Sequence, residues 1–198
     1  MNYLAHAYLS FGVPEITVGN MISDYVKGRK VLEFPHAIQQ GIRLHRAIDQ
    51  FTDQHPATRE AKQYFQPHYR LYSAAFVDVV YDHLLAGDEG EFTDSGLLEF
   101  SLQTYRHLDP FTAHFPEFFA RMFPYMKTQN WLYNYRFREG LKNSFVGLVR
   151  RAAYLDESET AFRIFEENQE ALLDCYRAFM PDVKVFAERK LEALLSGR

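Results

Sequence analysis

Phe76-Val77-Asp78-Val79-Val80-Tyr81-Asp82-His83-Leu84-Leu85, residues 76–85, is the stretch that decides the fold class. It is apolar almost all round, so as a helix it belongs inside the protein. Yet it carries two aspartates four residues apart, a spacing that stacks both carboxylates on one helical face. Two like charges there repel, and each loses hydration. A buried unpaired carboxylate costs several kcal/mol or takes up a proton. A metal, an arginine partner or a proton must therefore compensate.

Outward from this segment the same helical spacing recurs, and runs of strand-like alternation are scarce. The pattern predicts an all-α fold, a single compact multi-helix domain spanning 1–198 without a linker or internal repeat. Helices are expected at 2–11, 17–28, 35–53, 56–66, 73–86, 95–108 and 136–152. Two more are expected within 157–196, broken near Pro181. A turn is expected at Pro67, and Pro116 and Pro124 bracket an aromatic stretch.

The chain has 198 residues, of which 47% are hydrophobic, enough for one sizeable core. A net charge of -4 and a pI near 6.1 argue against a protein that coats nucleic acid. No apolar run approaches the ~18 residues of a membrane span, and the first residues show no secretory leader pattern. The single cysteine, Cys175, cannot form an internal disulfide and reads as a buried thiol. The expectation is a cytoplasmic protein with no membrane partner.

On the helix 35–53, Gly41, His45, Asp49 and Asp53 fall at successive four-residue steps. The row drifts only ~40° per step, so imidazole and carboxylate share a face, and Gly41 lets another backbone approach. His6 sits among Leu4, Ala5, Tyr8 and Leu9, with Asn2 one turn before it. Asp24 follows Val18, Met21 and Ile22. The candidate metal ligands are Asp24, His45, Asp49, Asp78 and Asp82; the candidate proton-transfer residues are His6, His83 and Asp24. An oxygen-rich set with a few imidazoles suits manganese, magnesium or iron(II) better than a zinc-thiolate site. Such a cluster polarises phosphoryl groups and activates water. The same residues also admit a plainer reading. A lone histidine on an apolar face is commonly a hydrogen-bonded core residue, and Arg43, Arg46, Arg59 and Arg70 are available to pair with the acids. Periodicity does not show whether the helices meet.

Four motifs resemble, in order and spacing, the acyl-carrier-protein phosphodiesterase family: MNYLAHAYLS at 1–10, VGNMISDYVKG at 18–28, GIRLHRAIDQFTDQHP at 41–56 and VDVVYDHLL at 77–85. The likeness covers residues 1–86 and is looser beyond, where WLYNYR at 131–136 fits a similar stretch. It implies a helical fold like that of the HD-domain metal phosphohydrolases. It also implies hydrolysis of the phosphodiester joining phosphopantetheine to a serine of holo acyl-carrier protein, with manganese or a similar divalent ion. The motifs match Asn2 and His6; Gly19, Asn20 and Asp24; Gly41, His45, Asp49, Thr52 and Asp53; and Asp78, Asp82 and His83. Substrate contacts are expected from Asn2, Asn20, Thr52 and Asp53.

The chain departs from the HD pattern in having no adjacent His-Asp pair; Asp82-His83 runs in reverse. On a helix His83 points ~100° away from Asp82. Asp82 is then read as a ligand and His83 as a proton donor to the leaving serine oxygen. An acyl-carrier protein is acidic, so a basic docking face is expected. Lys27, Arg29 and Lys30 form one candidate. Arg136, Arg138, Lys142, Arg150 and Arg151, with Glu139 alone against them, form another. Two other readings stay open: a phosphohydrolase of a nucleotide or small phosphoester, and a non-catalytic helical module that binds an acidic partner.

Overall fold

The computed structural model describes residues 1–197; residue 198, the last of the expected domain, lies outside the described residues. The helices are α1 (Tyr3–Tyr8), α2 (Pro14–Ile22), α3 (His36–Gln54), α4 (Pro56–Tyr69), α5 (Ser73–Ala86), α6 (Asp94–Leu108), α7 (Glu117–Thr128), α8 (Trp131–Asn134), α9 (Arg138–Arg151), α10 (Glu159–Glu167) and α11 (Gln169–Leu195). Among the described residues there is no strand. One hydrophobic core runs through the molecule, so the all-α, single-domain expectation is met. No helix among the described residues is long and apolar enough to cross a membrane.

Helix α5 lies at the centre, packed by α1, α4, α9 and α11. Phe76, Val77, Val80, Tyr81 and Leu85 are all fully buried there, as its all-round apolarity requires. The helix expected at 17–28 instead stops at Ile22 and gives way to tight 3-10 turns at Ser23–Tyr25 and Gly28–Glu33. Tertiary bonds explain the early stop. Asp24 is drawn to His45 of α3, and the Val26 carbonyl accepts a bond from Arg46 Nη2 at 2.8 Å.

Proline placement corrects two boundaries. Pro67 stays inside α4, which runs on to Tyr69 and ends at Arg70 with a positive φ of 47°. Pro181 does not break the last segment; it lies within the 27-residue α11. The break falls at Asn168, whose side-chain amide donates to the Ile164 carbonyl at 2.8 Å and closes α10. A proline inside a helix forfeits one backbone bond. At Pro181 the burial of Phe179, Met180 and Val183 on the same helix offsets that loss.

The contact that matters most for function is the crossing of α2 over α3. A Cβ on Gly19 would lie 2.8 Å from the Gly41 Cα and would run into the Ile38 carbonyl oxygen. A Cβ on Gly41 would collide with the Ile16 carbonyl oxygen. Only glycine at both positions allows the backbones this close. The approach sets Asn20 and Asp24 directly against His45, one turn further along α3.

Candidate functional site

His6 of α1 and His45 and Asp49 of α3 converge, with one donor atom from each lying within 4.8 Å of the others. The two imidazoles stack with centroids 3.8 Å apart and planes at 14°. His6 Nε2 and His45 Nε2 each lie 3.1 Å from an oxygen of Asp49, Oδ1 and Oδ2 respectively. His45 Nε2 is also 3.1 Å from Asp24 Oδ1, which brings a fourth candidate into the group.

The backbone carbonyl of Asn20 accepts a 2.7 Å bond from His45 Nδ1. This commits the Nδ1 proton and aims Nε2 at two carboxylate oxygens. In the neutral ring Nε2 is a lone pair, and a lone pair cannot face two anions uncompensated. Either a proton or a cation has to stand there. A carbonyl that holds one ring nitrogen while the other is presented to carboxylates is the usual support for a metal-binding histidine. The donor set therefore fits a divalent ion.

Electrostatics agree with this layout. Burial pulls the His45 pKa down, but its bonds to Asp24 and Asp49 outweigh burial and push it up to about 9. For His6, burial and the charge on His45 together prevail over Asp49 and lower the pKa to about 4. Of two stacked imidazoles only one carries charge. Burial opposes ionisation of Asp49, yet His6, the Met1 amine and His45 hold its carboxyl well below the usual carboxylate range. Asp24 is likewise lowered, its bond to His45 prevailing over desolvation.

The second pair of acids is arranged differently. Asp78 Oδ1 lies 2.9 Å from the α-amine of Met1, and the same amine is 3.5 Å from Asp49 Oδ1. Asp49 and Asp78 thus flank one buried cation, the N-terminal ammonium. Burial disfavours that charge, but Asp78 and Asp49 more than compensate and raise its pKa to about 11. Asp78 reaches the cluster through this amine. Asp82, expected as a ligand, serves another purpose. It is fully buried and accepts backbone N–H bonds from Asn2 (3.3 Å), Leu4 (2.7 Å) and Ala5 (3.2 Å). It caps the open end of α1, with its oxygens engaged by donors that a ligand role would strand.

Other expected residues also fall in unexpected places. His83 donates to or accepts nothing in the cluster; its Nδ1 donates to the Tyr135 carbonyl at 2.6 Å, and its ring meets Phe165 edge-on. Asn20, expected to touch substrate, is fully buried and braces α2 against α1, donating to the His6 carbonyl (2.9 Å) and Ser10 Oγ (3.0 Å). Thr52 is buried and bonds back to the Ile48 carbonyl of its own helix. Asp53 faces solvent and pairs with Lys62. Asn2 lies where a substrate could reach it, its side-chain amide donating to Tyr135 Oη at 3.0 Å.

The basic residues give the clearest gain over the sequence. The first stretch, 27–30, meets only the end of the second, 136–151, at Arg150 and Arg151; Arg136 pairs with Asp94, Arg138 with Glu166, and Lys142 lies over the Phe162 ring. Lys27, Lys30, Arg150 and Arg151 line one cavity of about 1000 Å³, and Asp24 and Tyr25 line it too. Asp24 has 67% of its side chain exposed there while one oxygen holds His45. Arg29 is exposed outside that lining. Tyr25 Oη shares a 2.5 Å hydrogen bond with Tyr3 Oη, a contact that nothing in the sequence signalled beyond the position of Tyr25 next to Asp24.

Comparison with known proteins extends the likeness beyond the N-terminal motifs. The family model described as acyl carrier protein phosphodiesterase matches residues 1–183. A protein of that name from Yersinia pestis is 29% identical over 191 residues, which is 96% of this chain and 99% of the relative. Proteins of that name from Salmonella paratyphi A and Escherichia coli are 28% and 29% identical over the same shares. No solved structure matches the chain.

Proposed function

Because the chain belongs to the acyl carrier protein phosphodiesterase family, we propose that it hydrolyses the phosphodiester joining phosphopantetheine to a serine of holo acyl-carrier protein, with a divalent ion held by His6, His45, Asp49 and Asp24. The observation that carries the proposal is the His45 arrangement, in which the Asn20 carbonyl holds Nδ1 and Nε2 faces two carboxylate oxygens. A bound ion of the manganese or magnesium class supplies Lewis-acid polarisation of the phosphoryl group and a lowered pKa for water.

The chain's own residues do the rest. Lys27, Lys30, Arg150 and Arg151 attract the diester and its acidic carrier toward the cavity mouth. Asp24 is ionised and exposed, so it is the acceptor for the proton of the attacking water. His6 is neutral near pH 7 and joins the ligands instead of acting as an acid. The Tyr25 phenol is raised in pKa, chiefly by burial, and keeps its proton. It lines the cavity beside Asp24 and takes the donor role first expected of His83.

The test is hydrolysis of holo acyl-carrier protein by metal-stripped protein, before and after manganese is restored. Activity should vanish on stripping and return with the ion, and Asp49→Ala should abolish it while helicity is retained. Undiminished turnover by thoroughly chelated protein would sink the proposal.

A further inference from the structure

A second cavity, of about 730 Å³, opens between α7, α8 and α9. Its size is within the range of small-molecule sites, ~300–1,000 Å³. It shares Phe118, Arg150 and Arg151 with the cavity that Asp24 lines, so the two cavities adjoin at the paired arginines. Past them its character changes from basic to aromatic and amide-bearing. Tyr3 and Tyr135, both buried, are joined along the wall by Trp131 and Met122. Asn2, Asn134 and Asn143 supply amide groups. Arg151 lines both cavities, which places its charge where they adjoin.

A ligand that fits this sequence of surfaces has an anionic phosphate at one end and a slender chain with peptide-like amides behind it. The phosphate meets the arginines that share a cavity with Asp24; the chain runs over aromatic rings with side-chain amides to pair its own. We propose that this groove holds the pantetheine arm of the substrate, with the arm's phosphate at Arg150 and Arg151 and its thiol end directed toward Trp131. The assignment rests on the hydrolase reading above, and it explains how the enzyme would hold the small phosphoryl-bearing arm while the serine oxygen of the carrier protein leaves.

Gly147 offers a clean probe. It lies in α9 and lines the groove, and an added Cβ there meets nothing within 4 Å. A larger side chain fills the groove without disturbing the helix. Binding of free 4′-phosphopantetheine is measured by calorimetry with manganese present, for wild type and for Gly147→Ala, Gly147→Leu and Gly147→Phe. Thermal melting checks that each variant is folded. Affinity should fall in step with side-chain size, at least tenfold for Gly147→Phe, with melting temperatures no lower than wild type. Should the Phe variant misfold, the Leu variant carries the same test.

Unchanged affinity in a folded Leu or Phe variant overturns the assignment. So does wild type that cleaves holo carrier protein yet does not bind the free arm. Wild type that binds the arm, loses it in the Gly147 variants and fails to cleave the carrier protein sinks the hydrolase reading while the groove stands. Wild type that neither binds nor cleaves sinks both.

Discussion

At His45 one imidazole meets a carbonyl and two carboxylates, and all of these contacts are hydrogen bonds only when the ring carries both protons. With a pKa near 9, the metal-free ring is protonated at neutral pH. A divalent ion entering the cluster must displace that proton, because a ligand nitrogen has to be deprotonated. Manganese binding at pH 7 should therefore release about one proton, and affinity should climb roughly tenfold per pH unit up to about pH 9. Calorimetry in two buffers of different ionisation enthalpy reads the proton directly; an affinity flat across that range would place the ion elsewhere. Asp82 calls for a stability measurement instead. Asp82→Ala strands the N–H groups of Asn2, Leu4 and Ala5, each at a cost of about 1–3 kcal/mol if no water reaches it. A net loss is expected in denaturant unfolding, partly offset because the mutation also relieves the burial that pushes the Asp82 carboxyl up to about 7. His45 and Asp49 were legible as a pair because one helix carries both at i and i+4. The cap role of Asp82 was not, since its partners are backbone groups some 80 positions away, and no side-chain pattern announces a backbone donor.

At the scale of elements, the α2–α3 crossing is the feature on which the site depends. Alanine normally improves on glycine inside a helix, by roughly 0.5–1 kcal/mol. At Gly19 or Gly41 the new methyl meets backbone atoms, which no rotamer change can move. Overpacking of that kind costs about 1–3 kcal/mol, so the clash outweighs the propensity gain. Gly19→Ala and Gly41→Ala should both lower the melting temperature and weaken manganese binding, as Asp24 is pushed away from His45. Gly147→Ala should do the opposite to stability, with a gain of roughly 0.5–1 kcal/mol, since open space faces it. Equal melting shifts at all three positions would remove the crossing from the account. Most helices were readable from periodicity, and α5 falls at 73–86 as its apolar run predicts. The misread places include Pro67, Pro181, the segment after Ile22 and the aromatic stretch between Pro116 and Pro124, where α7 runs through Pro124. In each, tertiary contacts override a local signal: buried neighbours tolerate the proline, and bonds to α3 end α2 early.

Over the whole molecule the net charge is only -4, yet cations from two distant stretches gather at one mouth. Composition could not reveal this, because the count of charges says nothing of where the fold places them. The consequence is a rate and affinity effect that salt should erode. Exposed charges act over a Debye length of about 10 Å at 0.1 M ionic strength and less at higher salt. An acidic carrier protein approaching Lys27, Lys30, Arg150 and Arg151 is drawn in mainly at low salt. Reversing Lys27 and Lys30 to glutamate should raise KM for holo acyl-carrier protein by about tenfold at low ionic strength. The turnover number should change far less, and the gap between variant and wild type should narrow as salt is added. Arg189→Glu, an exposed cation of α11 beside Phe186, serves as the control and should leave KM in place. If Arg189→Glu raises KM as much as the double reversal does, the effect is one of net charge, and the cavity mouth has no special claim on the carrier.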